Sequence, residues 1–456
     1  MGLRYTGARV VSKLSTWGLR HIFRRPAENF PGKLALYIDP QLISHLGSKP
    51  ATGSIVVCGT NGKTTVTNLL ADALEQTQVK TICNRSGANL RSGIATALLH
   101  GKEADWGVFE CDELWAAKVL PQLKPKYFLL LNLFRDQLDR VGEIRVVQDS
   151  IIAALASSPE TVLIYNADDP LCGAIAVKVP NDAVAFGITD PINFERNLAA
   201  DTQMCQQCFG MLEYHYRQYG QLGSYRCPIC GFSRPALDFA ACNAALDVKG
   251  LAFDVEGPRG LQAHIDAPYS GAYMIYNLLA VYTAFDLLGG SFESFKRAIE
   301  AFNPQNGRLQ RLSVAERPIL MNLAKNPTGF NQNINLILQN KGPKVLAFYV
   351  NDKEGDGRDI SWLWDIDFEE LAECSQLTIF AGGTRKNDLQ LRLKYAGLNA
   401  VLVDDAASVL AQTAKLSADH HYYFIANYTA LPAIRQELVE LADKYSLSAD
   451  HYTKGE

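Results

Sequence analysis

The chain has 456 residues, 48% of them hydrophobic and 20% charged, with a formal net charge of −4. That length suggests roughly two to four domains, and the acidic balance argues against a general nucleic-acid binder. No apolar run approaches the roughly 18 residues of a membrane span, and Arg4, Arg9 and Lys13 interrupt any leader-type core, so the chain is expected to be cytoplasmic.

Residues 1–45 form a basic N-terminal segment. Within the first 33, Arg4, Arg9, Lys13, Arg20, Arg24, Arg25 and Lys33 face a single acid, Glu28. Val10, Val11, Leu14, Trp17, Leu19 and Ile22 follow helical spacing. That pattern suits a helix packed on the domain behind it, or one touching an anionic membrane surface. From Ser54 the chain alternates strand and helix. SIVVC, WGVFE, YFLLLNL and TVLIYN read as strands with helical segments between them, which predicts βαβ units and a mainly parallel sheet over 46–310. Residues 201–235 break the pattern, and after GPRG at 257–260 the α/β character is expected to resume. A helix is predicted from about Tyr276 and a linker around FNPQNGRLQRL, 302–312. VLAFYV, LTIFAG and YYFIAN then predict a second, Rossmann-like α/β domain over 311–456.

VVCGTNGKTTVTNLL, residues 56–70, carries the first chemistry. A buried strand runs into Gly59-Thr60-Asn61-Gly62, and a helix opens on Lys63-Thr64-Thr65. Glycines let the backbone amides curl around one hollow, and the helix N-terminus adds positive potential. Lys63 is placed to meet the terminal phosphates of ATP, and the Thr64 or Thr65 hydroxyl to hold Mg²⁺. The competing reading is an ordinary strand-to-helix turn with a surface lysine. Val57 occupies the position where the common phosphate-loop pattern has its first glycine.

Cys205-x2-Cys208 and Cys227-x2-Cys230 are separated by 18 residues, a spacing that fits tetrahedral Zn²⁺ on a ribbon. Four thiolates leave no open position for water, so the zinc would be structural; redox pairs are the alternative. Of the remaining cysteines, Cys58 and Cys242 read as packing residues.

GTNGKTT resembles the shortened nucleotide loop of the Mur ligases, the ATP-dependent ligases of peptidoglycan precursors, and this accounts for the missing glycine. The resemblance continues in order. Glu110 of FECDE corresponds to a metal-binding glutamate, so it is expected to hold Mg²⁺ with Thr64. NLFRDQLDRVGE has Gln137 where the family has histidine, and YNADDP at 165–170 matches an Asn-x-Asp-Asp stretch. Asn277 stands where the family contacts adenine, and Arg308 where it meets the terminal phosphate. The four-cysteine insert within a Mur-type central domain is similar to the MurT-type ligase subunits, which work with a glutamine amidotransferase subunit of GatD type.

The final domain departs from the amino-acid-adding ligases. In NLAKNPTGFNQ, Asn322 and Lys325 replace the expected aspartate and histidine. Further on, NDKEGDGRDISWLWDID is a loop at a strand's C-terminal end, where α/β sheets carry function, or else an acidic surface loop. The resemblance implies that one aspartate of this loop, Asp356 or Asp359, completes a Cys-His-Asp arrangement in the partner glutaminase, and the nearby pair Trp362 and Trp364 suits interface anchors. It further implies ATP-dependent amidation of the D-glutamate α-carboxylate of lipid II to D-isoglutamine through an acyl phosphate, with Lys63 and Glu110 among the catalytic groups. A self-sufficient amino-acid ligase and a non-catalytic activating scaffold are the competing functions.

Overall fold

The computed structural model describes residues 2–25, 27–135, 144–192, 203–247, 250–302, 307–417 and 419–452. Its first sheet begins with β1 (Pro50–Cys58), β2 (Thr81–Cys83), β3 (Ala104–Glu110), β4 (Tyr127–Leu130), β5 (Val162–Asn166) and β6 (Ala183–Ile188). A separate hairpin, β7 (Glu213–Tyr219) and β8 (Leu222–Arg226), follows, and β9 (Phe239–Leu246), β10 (Leu251–Gly257) and β11 (Leu261–Ala267) complete the sheet. The nine strands lie in the order β11-β10-β9-β6-β5-β4-β1-β3-β2.

The pairings from β2 through β9 are parallel, as the alternation predicts. Ile55, Val56, Val57 and Cys58 of β1 are fully buried, as a strand covered by helices on both faces must be. The helix Lys63–Gln76 turns Val66, Leu69, Leu70, Ala73 and Leu74 inward, a stripe with the 3.6-residue period. After GPRG the α/β character resumes, with one more strand and then the helices Ala272–Leu287 and Phe292–Ala301. GPRG itself is the turn between β10 and β11, which pair antiparallel, as do β9 and β10. The helix predicted from Tyr276 starts a turn earlier and spans Ala272–Leu287. It is buried almost all round, so its start carries no amphipathic signal.

The chain passes from β1 to the edge strand β2, returns to β3 on one flank of β1, and then crosses to β4 on the other. The strand order therefore reverses at β1. A crevice outside the C-terminal ends of the strands forms at such a reversal.

The ribbon hairpin packs Tyr225, Phe232, Leu212, Cys205 and Cys227 against Ala174 of the helix Pro170–Ala176. Asp168 pins it to the sheet. This fully buried carboxylate accepts hydrogen bonds from Arg234 Nη1 at 2.9 Å, Tyr276 OH at 2.7 Å and the Ile188 amide at 2.9 Å. Burial raises its pKa, and Arg234 opposes the rise.

The second sheet holds β12 (Gln310–Val314), β13 (Arg317–Leu323), β14 (Lys344–Tyr349), β15 (Leu377–Gly382), β16 (Ala400–Leu402) and β17 (His421–Ala426), in the order β12-β13-β17-β14-β15-β16. Only β12 runs antiparallel to its neighbour. It begins inside the stretch predicted as a linker, so the turn residues there end before Gln310.

The N-terminal helix Leu3–Trp17 does pack on the first domain, but not by its apolar face. Tyr5, Ala8, Ser12 and Thr16 are buried, whereas Val10, Leu14, Trp17 and Ile22 are exposed. Ser12 and Thr16 hydroxyls meet His100 Nε2 at 3.2 and 3.0 Å. Tyr5 and Ala8 join the hydrophobic core while polar contacts hold Ser12 and Thr16, so the stripe of large apolar side chains marks the outer side.

The Asp168 cluster has a measurable consequence. Asp168→Ala leaves Arg234 and the buried Tyr276 hydroxyl without their acceptor and is expected to destabilise the chain by about 3–5 kcal/mol. Tyr276→Phe is expected to cost only about 1 kcal/mol. Denaturant unfolding measures both, and equal small losses would contradict this role.

Candidate active site

The crevice at β1 opens into a cavity of about 790 Å³ whose walls come from both sheets. Thr60, Asn61, Gly62, Lys63, Thr64 and Thr65 line its floor, and Glu110, Asn277 and Arg308 join them. Gly59 shapes the turn from behind. Its φ is +133°, and a Cβ there would sit 2.9 Å from the Asn132 carbonyl oxygen. Gly62 has φ +91°, and a Cβ would fall 2.4 Å from Asn277 Oδ1. Only glycine combines this left-handed backbone with so close an approach. Gly62 is also the N-cap of the helix that follows and offers no capping side chain. The first-turn amides therefore keep their donor capacity beside the cavity, the usual arrangement for an anion.

Lys63 is buried. Its Nζ donates to the Gly59 and Thr60 carbonyls and pairs with Glu113 Oε1 at 3.2 Å. Burial works against its charge, but the Glu113 and Glu110 carboxylates outweigh it and raise the pKa. Glu110, at the end of β3, is equally constrained. Its Oε2 accepts from Thr64 Oγ1 at 2.7 Å and its Oε1 from Asn89 Nδ2 at 3.2 Å. The Asn84 side chain clamps both the amide and the carbonyl of Glu110. Thr64 and Glu110 thus present adjacent hard oxygen donors, the set Mg²⁺ prefers. Arg308 is half-buried in the same wall. Desolvation lowers its pKa, and the charge of Glu110 opposes that shift.

Several wall residues carry no signal in the sequence. Asn132, just beyond β4, accepts from the Asn61 amide at 2.9 Å and donates to the Asn61 carbonyl at 3.1 Å. Tyr219 reaches the cavity from the ribbon hairpin, stacked on Phe134 with centroids 6.1 Å apart and edge-on to Tyr276 at 5.9 Å. Register and docking bring these groups together. Tyr219 was visible only as one tyrosine in a Tyr-rich insert.

The second domain supplies the facing wall. Asn326 caps the helix Pro327–Gln339 and donates to Asn61 Oδ1 at 3.3 Å. Asn322 holds Asn333 Oδ1 at 2.8 Å and the Leu309 amide at 3.0 Å, so the aspartate replacement braces the wall. Lys325 lines the cavity. Gln137 lies outside the described residues.

Asp356 and Asp359 occupy the loop after β14, whose Glu354 and Gly355 line the cavity although neither aspartate does, and the two differ sharply. Asp356 is buried, accepts from the Thr429 amide at 2.8 Å and from the Thr429 hydroxyl, and has its pKa raised by burial. Asp359 is exposed. The Ser361 amide at 2.8 Å and hydroxyl at 3.0 Å hold its carboxyl below the usual range. Nearby, Trp362 packs inward on Phe330 at 5.5 Å, while Trp364 is 53% exposed and edge-on to Tyr395.

The four ribbon cysteines converge. Their Sγ atoms lie within 4.8 Å of one another, with Cys205–Cys230 and Cys208–Cys227 each at 3.4 Å. A tetrahedral zinc with bonds of about 2.3 Å needs sulfur separations of about 3.8 Å, so the cluster fits the metal with a small expansion. Hydrogen bonds within the cluster lower the pKa of the Cys227 thiol, the Cys230 amide contributing most, while those of the Cys208 and Cys230 thiols are raised. None of the four lines the cavity.

Comparison with known proteins agrees with this architecture. The Mur ligase middle domain family matches residues 57–221, and the MurT ligase C-terminal family matches residues 323–431. Lipid II isoglutaminyl synthase (glutamine-hydrolyzing) subunit MurT from Staphylococcus aureus strain COL is 31% identical over 94% of this chain and 96% of its own length. The Streptococcus pneumoniae R6 protein of the same name is 30% identical over 96% and 98%. Among solved structures, MurF from Acinetobacter baumannii superposes with a TM-score of 0.66 at 18% identity, covering 90% of this chain and 80% of that one. A pseudomurein peptide ligase type C from Methanothermus fervidus gives 0.68 at 17% identity, covering 87% and 80%. These two show the fold alone. A Mur ligase fold whose cavity is walled by both domains, a four-cysteine insert and full-length similarity to MurT subunits lead to one assignment: the chain belongs to the MurT family of Mur ligases.

Proposed function

We propose that the chain is the ATP-using ligase subunit of a glutamine-hydrolysing lipid II isoglutaminyl synthase in peptidoglycan biosynthesis. The observation that carries the reading is the convergence of Lys63, Thr64, Glu110 and Arg308 on one cavity with a second-domain wall. Bound ATP would supply the phosphoryl group that activates the D-glutamate α-carboxylate of the stem peptide as an acyl phosphate. Lys63 and Arg308 would stabilise charge on the transferring group, and Thr64 with Glu110 would hold Mg²⁺. Asn277, beside Gly62, would meet the adenine side of the nucleotide, with Tyr219 in the same wall. The reading divides the chain into the basic segment 1–45, the ATP-binding domain 46–310 with its ribbon at 201–235, and the glutaminase-facing domain 311–456.

Ammonia then displaces the phosphate to give D-isoglutamine, and this chain is poorly equipped to release it from glutamine. No cysteine of the chain sits in a Gly-x-Cys-x-Gly elbow, and burial pushes the thiols of Cys58, Cys111 and Cys172 well up, the reverse of what a nucleophile needs. A glutaminase subunit of GatD type supports the reaction instead. Of the two loop aspartates, Asp359 is the one a second chain can reach, with its charge in place to orient a partner histidine. Asp356 braces the loop through Thr429. The substrate's lipid anchor would put the reaction at the inner face of the cell membrane.

Three experiments test these assignments in the reconstituted complex. Lys63→Ala is expected to lower amide formation from glutamine and ATP by about 10²–10³-fold, read by mass spectrometry of the precursor; unchanged product would sink the reading. Asp359→Asn is expected to cut glutamine hydrolysis by at least about 10²-fold while amidation from added ammonium salt survives. Asp356→Asn is expected mainly to lower the melting temperature, and the reverse pattern would exchange the two roles. Elemental analysis is expected to find zinc equimolar with the chain and absent from Cys208→Ser. Because the ribbon carries Tyr219, that variant is also expected to bind ADP more weakly by calorimetry. Zinc retained in the variant would refute the site.

A further inference from the structure

The N-terminal helix is turned inside out for a packed helix. At 100° per residue, Leu3, Val10, Leu14 and Trp17 fall within about 60° of one another. The buried Tyr5, Ala8, Ser12 and Thr16 lie on the opposite side. Leu14 is 63% and Trp17 58% exposed, and Ile22 and Phe23, which continue the chain, are 63% and 65% exposed. Apolar side chains of this size do not ordinarily face water in a row. Phe30 and Tyr37 of the adjoining helix Phe30–Ile38 are exposed as well.

Arg4, Arg9, Lys13, Arg20, Arg24 and Arg25 belong to the same segment and are all exposed. Burial, and then the charges of Arg20, Lys49 and Lys13, hold the His100 imidazole beneath the helix below its usual pKa, so the positive field reaches the helix's inner face. An apolar stripe set among cations is the signature of a helix lying in an anionic lipid interface. No helix among the described residues is long and apolar enough to cross a membrane. The segment also leads straight to the cavity. Glu28 and Asn29, a few residues beyond Arg25, line it, and Asn29 Oδ1 accepts from Ser92 Oγ at 3.2 Å.

We infer that residues 3–25 form a peripheral docking surface for an anionic phospholipid bilayer, holding the cavity mouth at Glu28 and Asn29 towards the plane where a lipid-anchored substrate lies. The substrate half of this inference rests on the function proposed above, whereas lipid docking itself does not. The charge excess selects a lipid surface over the glutaminase as occupant, because anionic headgroups match a dispersed set of arginines and the acyl boundary matches Trp17, Leu14 and Phe23.

Co-sedimentation of the full chain, alone and with its glutaminase, with vesicles of phosphatidylglycerol and phosphatidylcholine tests it without any substrate. Retention on these vesicles is expected, with little on phosphatidylcholine alone and a decline as salt rises. The double variant Leu14→Asp/Trp17→Asp is expected to lose at least about tenfold in retention, with circular dichroism and ADP affinity unchanged. A separate variant, Arg24→Glu/Arg25→Glu, should weaken binding to the anionic vesicles alone. Failure of the parent chain to bind anionic vesicles, equal binding to neutral ones, or undiminished binding of the variants would overturn the inference. So would release of the glutaminase by Leu14→Asp/Trp17→Asp with vesicle binding intact, which would make the face a protein interface. Vesicle binding in a complex that forms no amide would instead count against the proposed function.

Discussion

An ammonium group removed from water must find compensating charge, and the loop at the end of β1 is built around that requirement. Lys63 lies inside the protein because Gly59 and Gly62 bend the backbone into left-handed geometry, which brings the Gly59 and Thr60 carbonyls and Glu113 to its Nζ. Breaking a buried pair of this kind by removing one partner typically costs about 3–5 kcal/mol. The arrangement therefore fixes the loop, the start of the following helix and the end of β3 as one unit. Glu110, held by Asn84, Asn89 and Thr64, extends the unit across two strands.

The ribbon joins the same unit from a distance. Asp168 connects Arg234, which follows the second cysteine pair, to Tyr276, and the next residue on that helix is Asn277, packed against Gly62. Tyr219 on the ribbon's own hairpin reaches the cavity directly. The four-cysteine insert is thus linked to the loop after β1 by two short paths, although its cysteines stay outside the cavity. This gives a physical reason for an insert in an otherwise ordinary parallel sheet.

Much of this was legible in the residues. GTNGKTT specifies its own turn, because glycine spacing, lysine and threonine each follow from phosphate chemistry, and the paired CxxC units foretell a four-thiol cluster. What stayed hidden depends on which strands become neighbours. Asn132 matters because β4 lies beside β1, and Glu113 because β3 lies on the other flank. That Asp356 is buried while Asp359 stays exposed depends on Thr429, which arrives from the loop after β17. The N-terminal helix illustrates a different limit. Periodicity identifies which side chains share a face, but solvent exposure depends on what lies opposite, and here His100 draws Ser12 and Thr16 inward instead.

Asn61 and Asn326 join the two lobes through uncharged amides 3.3 Å apart, alongside the solvent-accessible Arg135–Asp365 ion pair and the contact from Asn322 to the Tyr273 hydroxyl. A neutral hydrogen bond of this type contributes only about 1 kcal/mol net, far less than the ionic unit it touches. An exposed ion pair adds little more, so the seam is held less firmly than the buried Lys63 unit beside it. Opening between the lobes would exchange these few polar contacts for water and leave the loop after β1 undisturbed, so the cavity could admit and release its contents without dismantling the surroundings of Lys63.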